Sequence, residues 1–174
     1  MRVADLKKTI REVPDFPKPG INFYDLSTLF RDAEAFQAAI EVMTERYRGD
    51  KLDAIAGIES RGFIVASAMA VQLGLGLIMV RKAGKLPGDT EGESYALEYG
   101  EAKIEVHRDA VEPGERVVVI DDLLATGGTA AATGRLLERL GARVEGYGFM
   151  VELEFLEGRK KLRGSGVFSL MSYA

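Results

Sequence analysis

The spacing of apolar residues along the chain changes repeatedly between the period of a helix and that of a strand. Recurrence every three or four positions, as for Phe36, Ile40 and Met43, indicates an amphipathic helix. Continuous apolar runs and strict alternation indicate strands. The pattern predicts helices at residues 1–13, 33–47, 61–73 and 128–140. It predicts strands at residues 54–58, 77–80, 102–107, 117–120 and 144–151.

Because predicted strands and helices alternate, we expect one α/β domain over residues 1–174, with a mainly parallel sheet flanked by helices. The run at 117–120 contains only Val and Ile, as expected for a central strand buried on both faces. Residues 16–30 hold prolines and aromatics and predict an irregular segment. Residues 82–100 have no clear period, and a loop of that length is usually a lid or a binding loop.

Composition and charge restrict the possible functions. The chain has no cysteine, which excludes disulfides, thiolate zinc sites and a cysteine nucleophile. Its formal net charge is −4, whereas a general nucleic-acid binder more often carries a basic surplus, so we expect no nucleic-acid partner. No apolar stretch reaches the ~18 residues of a membrane span, and the N-terminus lacks the apolar segment of a secretory signal. We therefore expect a soluble cytoplasmic protein with no membrane partner.

The segment VVVIDDLLATGGT, residues 117–129, carries the clearest chemical signal. An apolar strand is expected to end in Asp121 and Asp122, and a short loop then leads into a helix. Paired glycines allow backbone N–H groups to approach a ligand closely, and a helix N-terminus attracts anions, so the loop predicts a phosphate site. The loop comprises Ala125, Thr126, Gly127, Gly128 and Thr129. Because two carboxylates repel phosphate, they are better suited to ribose hydroxyls or a metal ion, and together these features indicate a phosphorylated sugar.

The same segment closely resembles the phosphoribosyl-pyrophosphate signature of the type I phosphoribosyltransferases. Its double leucine after the acids is similar to the adenine-specific branch of that family. Five further blocks extend the resemblance in family order: DFPKPGINFYD, AGIESRGF, RKAGKLPG, SYALEYG and VELEFLEGRKKL. The resemblance implies a twisted, mainly parallel sheet, a small hood from residues 1–30 and a mobile lid at residues 82–100.

The resemblance also implies an activity. A member of this branch transfers the 5-phosphoribosyl group from phosphoribosyl pyrophosphate to N9 of adenine and so forms AMP and pyrophosphate in purine salvage. Mg²⁺ is then the expected cofactor, held mainly through substrate and water near Asp121 and Asp122. These two acids would face the ribose 2- and 3-hydroxyls. A homodimer is the expected assembly.

Residues outside the signature receive roles from the same resemblance. The expected pyrophosphate ligands are Arg61, Arg81, Lys82 and Lys85. The peptide between Glu59 and Ser60, just before Arg61, is expected to be cis. Glu98 matches an acid near the imidazole side of adenine and could accept the N7 proton, whereas Tyr99 matches a tyrosine that helps to close the lid. The expected catalytic residues are Glu98, Asp121, Asp122 and Arg61.

For the base, the resemblance implies that Phe23 stacks on one face of adenine and Leu153 on the other. Backbone groups around Asn22 and Tyr24 would read the edge of the base. Several family members carry an apolar residue and an arginine at these two positions, so the part played by their side chains stays open.

Two alternatives remain at this point. The chain could be a phosphoribosyltransferase for another base, such as hypoxanthine, guanine, xanthine or orotate. It could also be a regulator that keeps the fold as a ligand sensor. Such a regulator adds a DNA-binding module ahead of this domain, and the 13 residues before Pro14 are too few for one.

Overall fold

The computed structural model describes residues 2–97, 100–162 and 166–174. Five α-helices are described in these ranges: α1 Val3–Lys7, α2 Ser27–Arg31, α3 Ala33–Tyr47, α4 Gly62–Leu73 and α5 Gly128–Arg139. The strands there are β1 Arg11–Val13, β2 Phe23–Asp25, β3 Ala54–Ile58, β4 Gly76–Lys82, β5 Thr90–Ala96, β6 Glu101–His107, β7 Arg116–Leu124, β8 Arg143–Leu153 and β9 Gly166–Tyr173. Two short 3₁₀ helices follow β8, at Glu154–Leu156 and Gly158–Lys161.

A seven-stranded sheet organises the molecule, with strand order β5-β6-β4-β3-β7-β8-β9. The five strands from β4 to β9 in this order run parallel, and β5 and β6 form an antiparallel edge. The expected α/β class with a mainly parallel sheet and flanking helices is therefore confirmed. Because parallel strands end at the same edge of a sheet, loops after β3, β4, β7 and β8 are brought together there.

The core lies on both faces of β7. Residues Val117–Ile120 have no exposed surface, as the apolar run predicted. Val118 and Ile120 pack with α3 and α4 on one face, whereas Val117 and Val119 pack with α5 on the other. The alternation of side chains along the strand thus joins two apolar layers into a rigid support for the loop that follows β7.

The N-terminal region differs from the expectation of one helix over residues 1–13. The helix ends at Lys7, and β1 pairs antiparallel with β2 in a separate two-stranded sheet. Helical spacing is not specific here, because Leu6 lies in the helix and Ile10 lies outside it, yet both are buried, and the pairing of β1 with β2 decides the outcome. The segment expected to be irregular, residues 16–30, contains both β2 and α2.

Residues 82–100 also contain more regular structure than expected. Strand β5 pairs along its whole length with β6, from Thr90 opposite His107 to Ala96 opposite Glu101. The sequence of β5 has no apolar alternation, because this strand lies at the sheet edge and depends on its backbone pairing rather than on burial. No helix among the described residues could cross a membrane.

Candidate active site

The two acids lie on β7 itself, near its carboxyl end. The sequence predicted that the strand ends in these acids, but β7 continues to Leu124 because it remains paired with β8. Asp122 is buried and Asp121 is partly buried. One Asp121 carboxylate oxygen, Oδ1, accepts a hydrogen bond of 2.8 Å from the Asp122 backbone N–H. The extended backbone therefore holds two adjacent carboxyl groups in fixed positions.

The environment of the acid pair disfavours two full negative charges. Burial, followed by the neighbouring Asp122 carboxylate, raises the pKa of Asp121 well above its usual value. Arg61 acts in the opposite direction on the same pKa. A cation or a hydroxyl donor bound at this point would relieve the repulsion between the acids.

Arg61 connects the acid pair with the aromatic segment of β2. Its Nε atom lies 2.6 Å from Asp122 Oδ2, without the alignment of a hydrogen bond. Its guanidinium carbon lies 5.6 Å from the centre of the Phe23 ring. Arg61 and Asp122 border a cleft of about 390 Å³ whose other lining residues are Glu59, Ser60, Asp121 and Leu123. The peptide between Glu59 and Ser60 is cis, as expected.

Residues 125–129, the phosphate loop, lead from β7 into α5. Gly127 caps the N-terminus of α5 with a φ of +75°, a conformation that favours glycine. The first backbone N–H groups of a helix have no partner within it and carry a partial positive charge, so they can bind an anion. The expected combination of glycine turn and helix N-terminus is therefore present beside the acid pair.

Tyr95 on β5 contacts the phosphate loop, a contact that sequence reasoning missed. The Thr129 hydroxyl donates a hydrogen bond of 2.9 Å to the Tyr95 hydroxyl. A Cβ atom at Gly128 would lie 3.2 Å from the Tyr95 ring. The block SYALEYG contains this tyrosine, but nothing in the sequence indicates which residue of β5 faces the loop. The hairpin of β5 and β6 thus approaches the site closely.

The expected pyrophosphate ligands differ in how far their positive charges are already paired within the protein. Arg81 donates to Glu59 Oε2 over 2.6 Å and to the Lys85 carbonyl over 2.9 Å, so much of its charge is already balanced. Lys82 ends β4 and is exposed, as is Lys85. Because β4 and β3 are parallel neighbours, Arg81 and Lys82 at the end of β4 lie at the same sheet edge as Arg61, which follows β3.

The residues expected around adenine fall into two groups. Phe23 is partly buried, with the Phe16 ring edge-on at 5.3 Å. The other side chains have structural contacts: Asn22 donates to Glu12 over 2.8 Å, Tyr24 stacks on Tyr173 at 3.8 Å, and Leu153 is buried in the core. Base-edge recognition through Asn22 and Tyr24 would therefore use their backbone. Glu98 and Tyr99 lie outside the described residues.

The carboxylates of Asp121 and Asp122 suit an Mg²⁺ ion that takes most of its ligands from water and substrate. Within the described ranges, no group of three or more metal-binding side chains occurs. Asp122 Oδ2 is buried and has no hydrogen-bond partner. Mg²⁺ commonly binds one or two carboxylates together with water and substrate phosphates, which matches two acids beside an open cleft.

Comparison with known proteins assigns the family. The model of the phosphoribosyl transferase domain matches residues 26–153. An adenine phosphoribosyltransferase of Desulfitobacterium hafniense is 53% identical over 173 residues, which cover 99% of this chain and 100% of the relative. The structure of the same enzyme from Thermoanaerobacter pseudethanolicus gives a TM-score of 0.95 at 48% identity, covering 98% of this chain and 99% of that one.

The Saccharomyces cerevisiae adenine phosphoribosyltransferase, solved with an imino-altritol bisphosphate and adenine, gives a TM-score of 0.91 at 42% identity. This match covers 97% of each chain. The likeness therefore extends over the fold, the phosphate loop and the segments on both sides of it. The chain belongs to the phosphoribosyltransferase family, within its adenine phosphoribosyltransferase branch.

Proposed function

We propose that this site transfers the 5-phosphoribosyl group of phosphoribosyl pyrophosphate to N9 of adenine and so forms AMP in purine salvage. The observation that carries the proposal is the position of the phosphate loop, the acid pair and Arg61 around one sheet edge. The full-length likeness to adenine phosphoribosyltransferases supports it. The yeast relative was solved with a sugar-like bisphosphate and adenine together, which fits the same pair of subsites.

The 5-phosphate binds to the phosphate loop in this proposal. Backbone N–H groups and the Thr126 hydroxyl supply donors, the Thr129 hydroxyl would have to exchange its bond to Tyr95 for one to phosphate, and the N-terminus of α5 supplies a favourable dipole. Asp121 and Asp122 accept hydrogen bonds from the ribose hydroxyls. Fixing both ends of the sugar holds its anomeric carbon in line between base and leaving group, which lowers the entropic part of the barrier.

The leaving pyrophosphate requires positive charge. The exposed Lys82 and Lys85 can move toward it, whereas Arg61 would have to share its guanidinium with Asp122 and Arg81 its own with Glu59. Asp121 and Asp122 would hold Mg²⁺ together with water and substrate, and the ion would supply further charge neutralisation. Preorganised cations of this kind stabilise charge that develops in the transition state.

Adenine lies between Phe23 and Leu153 in this proposal, and backbone groups at Asn22 and Tyr24 read its edge. Arg61 contacts the Phe23 ring and so links the base subsite to the pyrophosphate subsite. The separate sheet of β1 and β2, which carries Phe23, supports the hood at residues 1–30. The lid at residues 82–100 excludes water from the reacting sugar, Tyr99 helps to close it, and Glu98 accepts the N7 proton.

We further propose a homodimer formed through α4 and β4. Four apolar side chains are exposed there, with relative exposures of 40% for Ile64, 83% for Val71, 39% for Leu77 and 44% for Met79. Ile64 and Val71 are seven residues apart on one face of α4, and Leu77 and Met79 share one face of β4. A clustered apolar surface of this kind typically marks a protein interface.

The cytoplasmic location stays a prediction, which cell fractionation would test.

An ultraviolet assay of the purified protein tests the function. Phosphoribosyl pyrophosphate and Mg²⁺ would be supplied with adenine, hypoxanthine, guanine, xanthine or orotate in separate reactions. We expect rapid conversion of adenine and little or none of the others. Conversion of a different base would refute the adenine specificity, and failure to convert any base would refute the proposed phosphoribosyl-transfer activity.

A further inference from the structure

The phosphate loop contacts a segment that is not part of its signature. A Cβ atom at Gly158, the first residue of the second 3₁₀ helix, would lie 2.2 Å from the Ala125 carbonyl oxygen and 2.9 Å from the Gly127 backbone nitrogen. Conversely, a Cβ atom at Gly127 would lie 2.3 Å from the Gly158 carbonyl oxygen. The two backbones are therefore packed directly against each other. Neither position has room for a side chain.

An ion pair next to Gly158 fixes this segment to the sheet. Arg159 Nε donates over 3.0 Å to Oε1 of Glu152 on β8, and its Nη2 donates to the other carboxylate oxygen. Arg159 Nη1 donates over 2.8 Å to the Val167 carbonyl on β9. The Ser169 hydroxyl donates over 2.7 Å to Glu152 Oε2. The Glu152 carboxylate is buried and fully paired, so losing Arg159 would leave a buried charge unpaired.

Glu157, just before Gly158, adopts a backbone conformation that is unfavourable for a non-glycine residue. Glu157 has a φ of +52°, in the left-handed region that non-glycine residues rarely adopt. Four residues after Gly158, Leu162 is buried in the core cluster on the α5 face of the sheet. The chain is thus held on both sides of Gly158, which keeps the 3₁₀ helix against the loop.

We propose that Gly158 and the Glu152–Arg159 ion pair set the shape of the phosphate loop and thereby its affinity for a sugar 5-phosphate. The inference rests on the proposed role of residues 125–129 as the phosphate site. Gly158 and Arg159 act as positioning residues, since they touch the loop or its support rather than the substrate.

The test is the variant Gly158→Ala, because its φ is not positive and the new methyl group acts only through the contact with the loop. The matched control is Gly49→Ala, which adds the same methyl group at an exposed position with nothing within 4 Å. We expect Gly158→Ala to raise the KM for phosphoribosyl pyrophosphate by about 10- to 100-fold, since small misplacements of binding groups cost rates of that order. The KM for adenine should change little, and the control should match the parent protein.

A second pair of variants keeps the inference testable if Gly158→Ala does not fold. Arg159→Lys retains one charge without the two-pronged geometry, whereas Arg159→Met removes the charge. We expect the KM for phosphoribosyl pyrophosphate to rise in the order parent, Arg159→Lys, Arg159→Met. Isothermal titration of each variant with ribose 5-phosphate measures the phosphate site without the reaction.

The outcomes separate this inference from the function on which it rests. If the parent protein fails to bind ribose 5-phosphate, the phosphate-site assignment itself is wrong. If the parent binds it and Gly158→Ala binds it equally well, the positioning role is wrong. A fall in melting temperature with unchanged affinity, in either set of variants, would also overturn it, because it would mean that the segment only stabilises the fold.

Discussion

At the residue scale, Asp121 lies in an environment that disfavours the negative charge of its carboxyl group. Its carboxyl group lies beside a second acid, and burial raises its pKa. Between the unfolded-state pKa of 3.8 and the raised folded-state pKa, the folded protein holds a proton that the unfolded chain has released. Stability therefore falls as the pH rises through this window.

Asp121→Asn should consequently stabilise the protein while weakening substrate binding. We expect a melting temperature higher by a few degrees at neutral pH, with the gain disappearing as the pH falls to about 3.8. The affinity for phosphoribosyl pyrophosphate should fall about tenfold or more, because a charged hydrogen-bond acceptor is lost. Thermal denaturation across pH and steady-state kinetics measure the two effects.

Asp53→Asn provides a control of opposite sign. The Arg116 side chain lowers the pKa of Asp53, so this acid stabilises the fold above its unfolded-state pKa, and the stabilisation is lost as the pH falls through the lowered value. The control should therefore lower the melting temperature slightly at neutral pH and leave the kinetics unchanged. A lower melting temperature for Asp121→Asn would contradict the account of the acid pair.

Gly127→Ala should disrupt the phosphate loop for two reasons. The φ of +75° is unfavourable for alanine, and the methyl group would meet the Gly158 carbonyl oxygen. Gly114→Ala separates the effect of backbone strain from that of the contact, because Gly114 has a φ of +85° and a Cβ atom there would have nothing within 4 Å. We expect Gly114→Ala to lose about 1 kcal/mol of stability and Gly127→Ala to lose more, and only Gly127→Ala to lose more than about tenfold in kcat/KM. Equal kinetics in the two variants would mean that the contact is irrelevant.

Glu98 is the remaining residue with a chemical role to test. If it accepts the N7 proton of adenine, Glu98→Gln should lower kcat by about 10²- to 10⁴-fold, the usual range for a general base. Binding of phosphoribosyl pyrophosphate should persist, which titration of the variant would measure. Unchanged turnover would remove Glu98 from the chemistry.

At the element scale, β5 is attached to α5 by charged side chains rather than by an apolar face. Glu93 accepts a hydrogen bond of 2.8 Å from Arg135 and a further bond from Arg139, and these lower the pKa of Glu93. Arg139 also donates to the Gly92 carbonyl. Strand β5, which contacts residues 125–129 through Tyr95, is therefore held by ion pairs that are partly open to solvent.

Glu93→Gln should loosen this strand without unfolding the protein. We expect faster amide hydrogen exchange in β5 and a melting temperature within a few degrees of the parent, since partly exposed ion pairs contribute little to global stability. Glu145→Gln, which alters a more exposed pair with Arg143, serves as the control. Unchanged exchange in β5 would show that backbone pairing with β6 alone fixes the strand.

The sequence predicted those elements whose pattern follows from burial. Helix α3 begins and ends as expected, because its apolar stripe is regular and Asp32 caps it by accepting a hydrogen bond from the Ala35 N–H. Strand β3 likewise has the expected bounds. The half-buried strand β6 shows the expected alternation, with Ile104 and Val106 buried.

Elements that depend on distant partners were missed. The short strand β1 exists because β2 pairs with it, and β5 exists because β6 does. The same limit applies to the site. The loop and acid pair are adjacent in sequence and could be predicted together, whereas the contact between Gly127 and Gly158 joins residues that no local pattern connects.

At the scale of the whole molecule, the proposed homodimer rests on the exposed apolar side chains of α4 and β4. Val71 is the most exposed of them. Val71→Glu should place a charge in the proposed interface and shift the protein from dimer to monomer at micromolar concentration, because an unpaired buried charge is costly. Sedimentation velocity measures the change. Val42→Glu, at an exposed position on α3, is the control. A dimer that persists in Val71→Glu, or a parent protein that is already monomeric, would refute this interface.

The most direct test of the account is a crystal structure of the protein with AMP bound. The account predicts the 5-phosphate on the backbone N–H groups of residues 125–129, the ribose hydroxyls beside Asp121 and Asp122, and the adenine ring between Phe23 and Leu153. A phosphate bound away from the loop, or a ribose that does not reach the acid pair, would contradict the assignment of this sheet edge as the site of phosphoribosyl transfer.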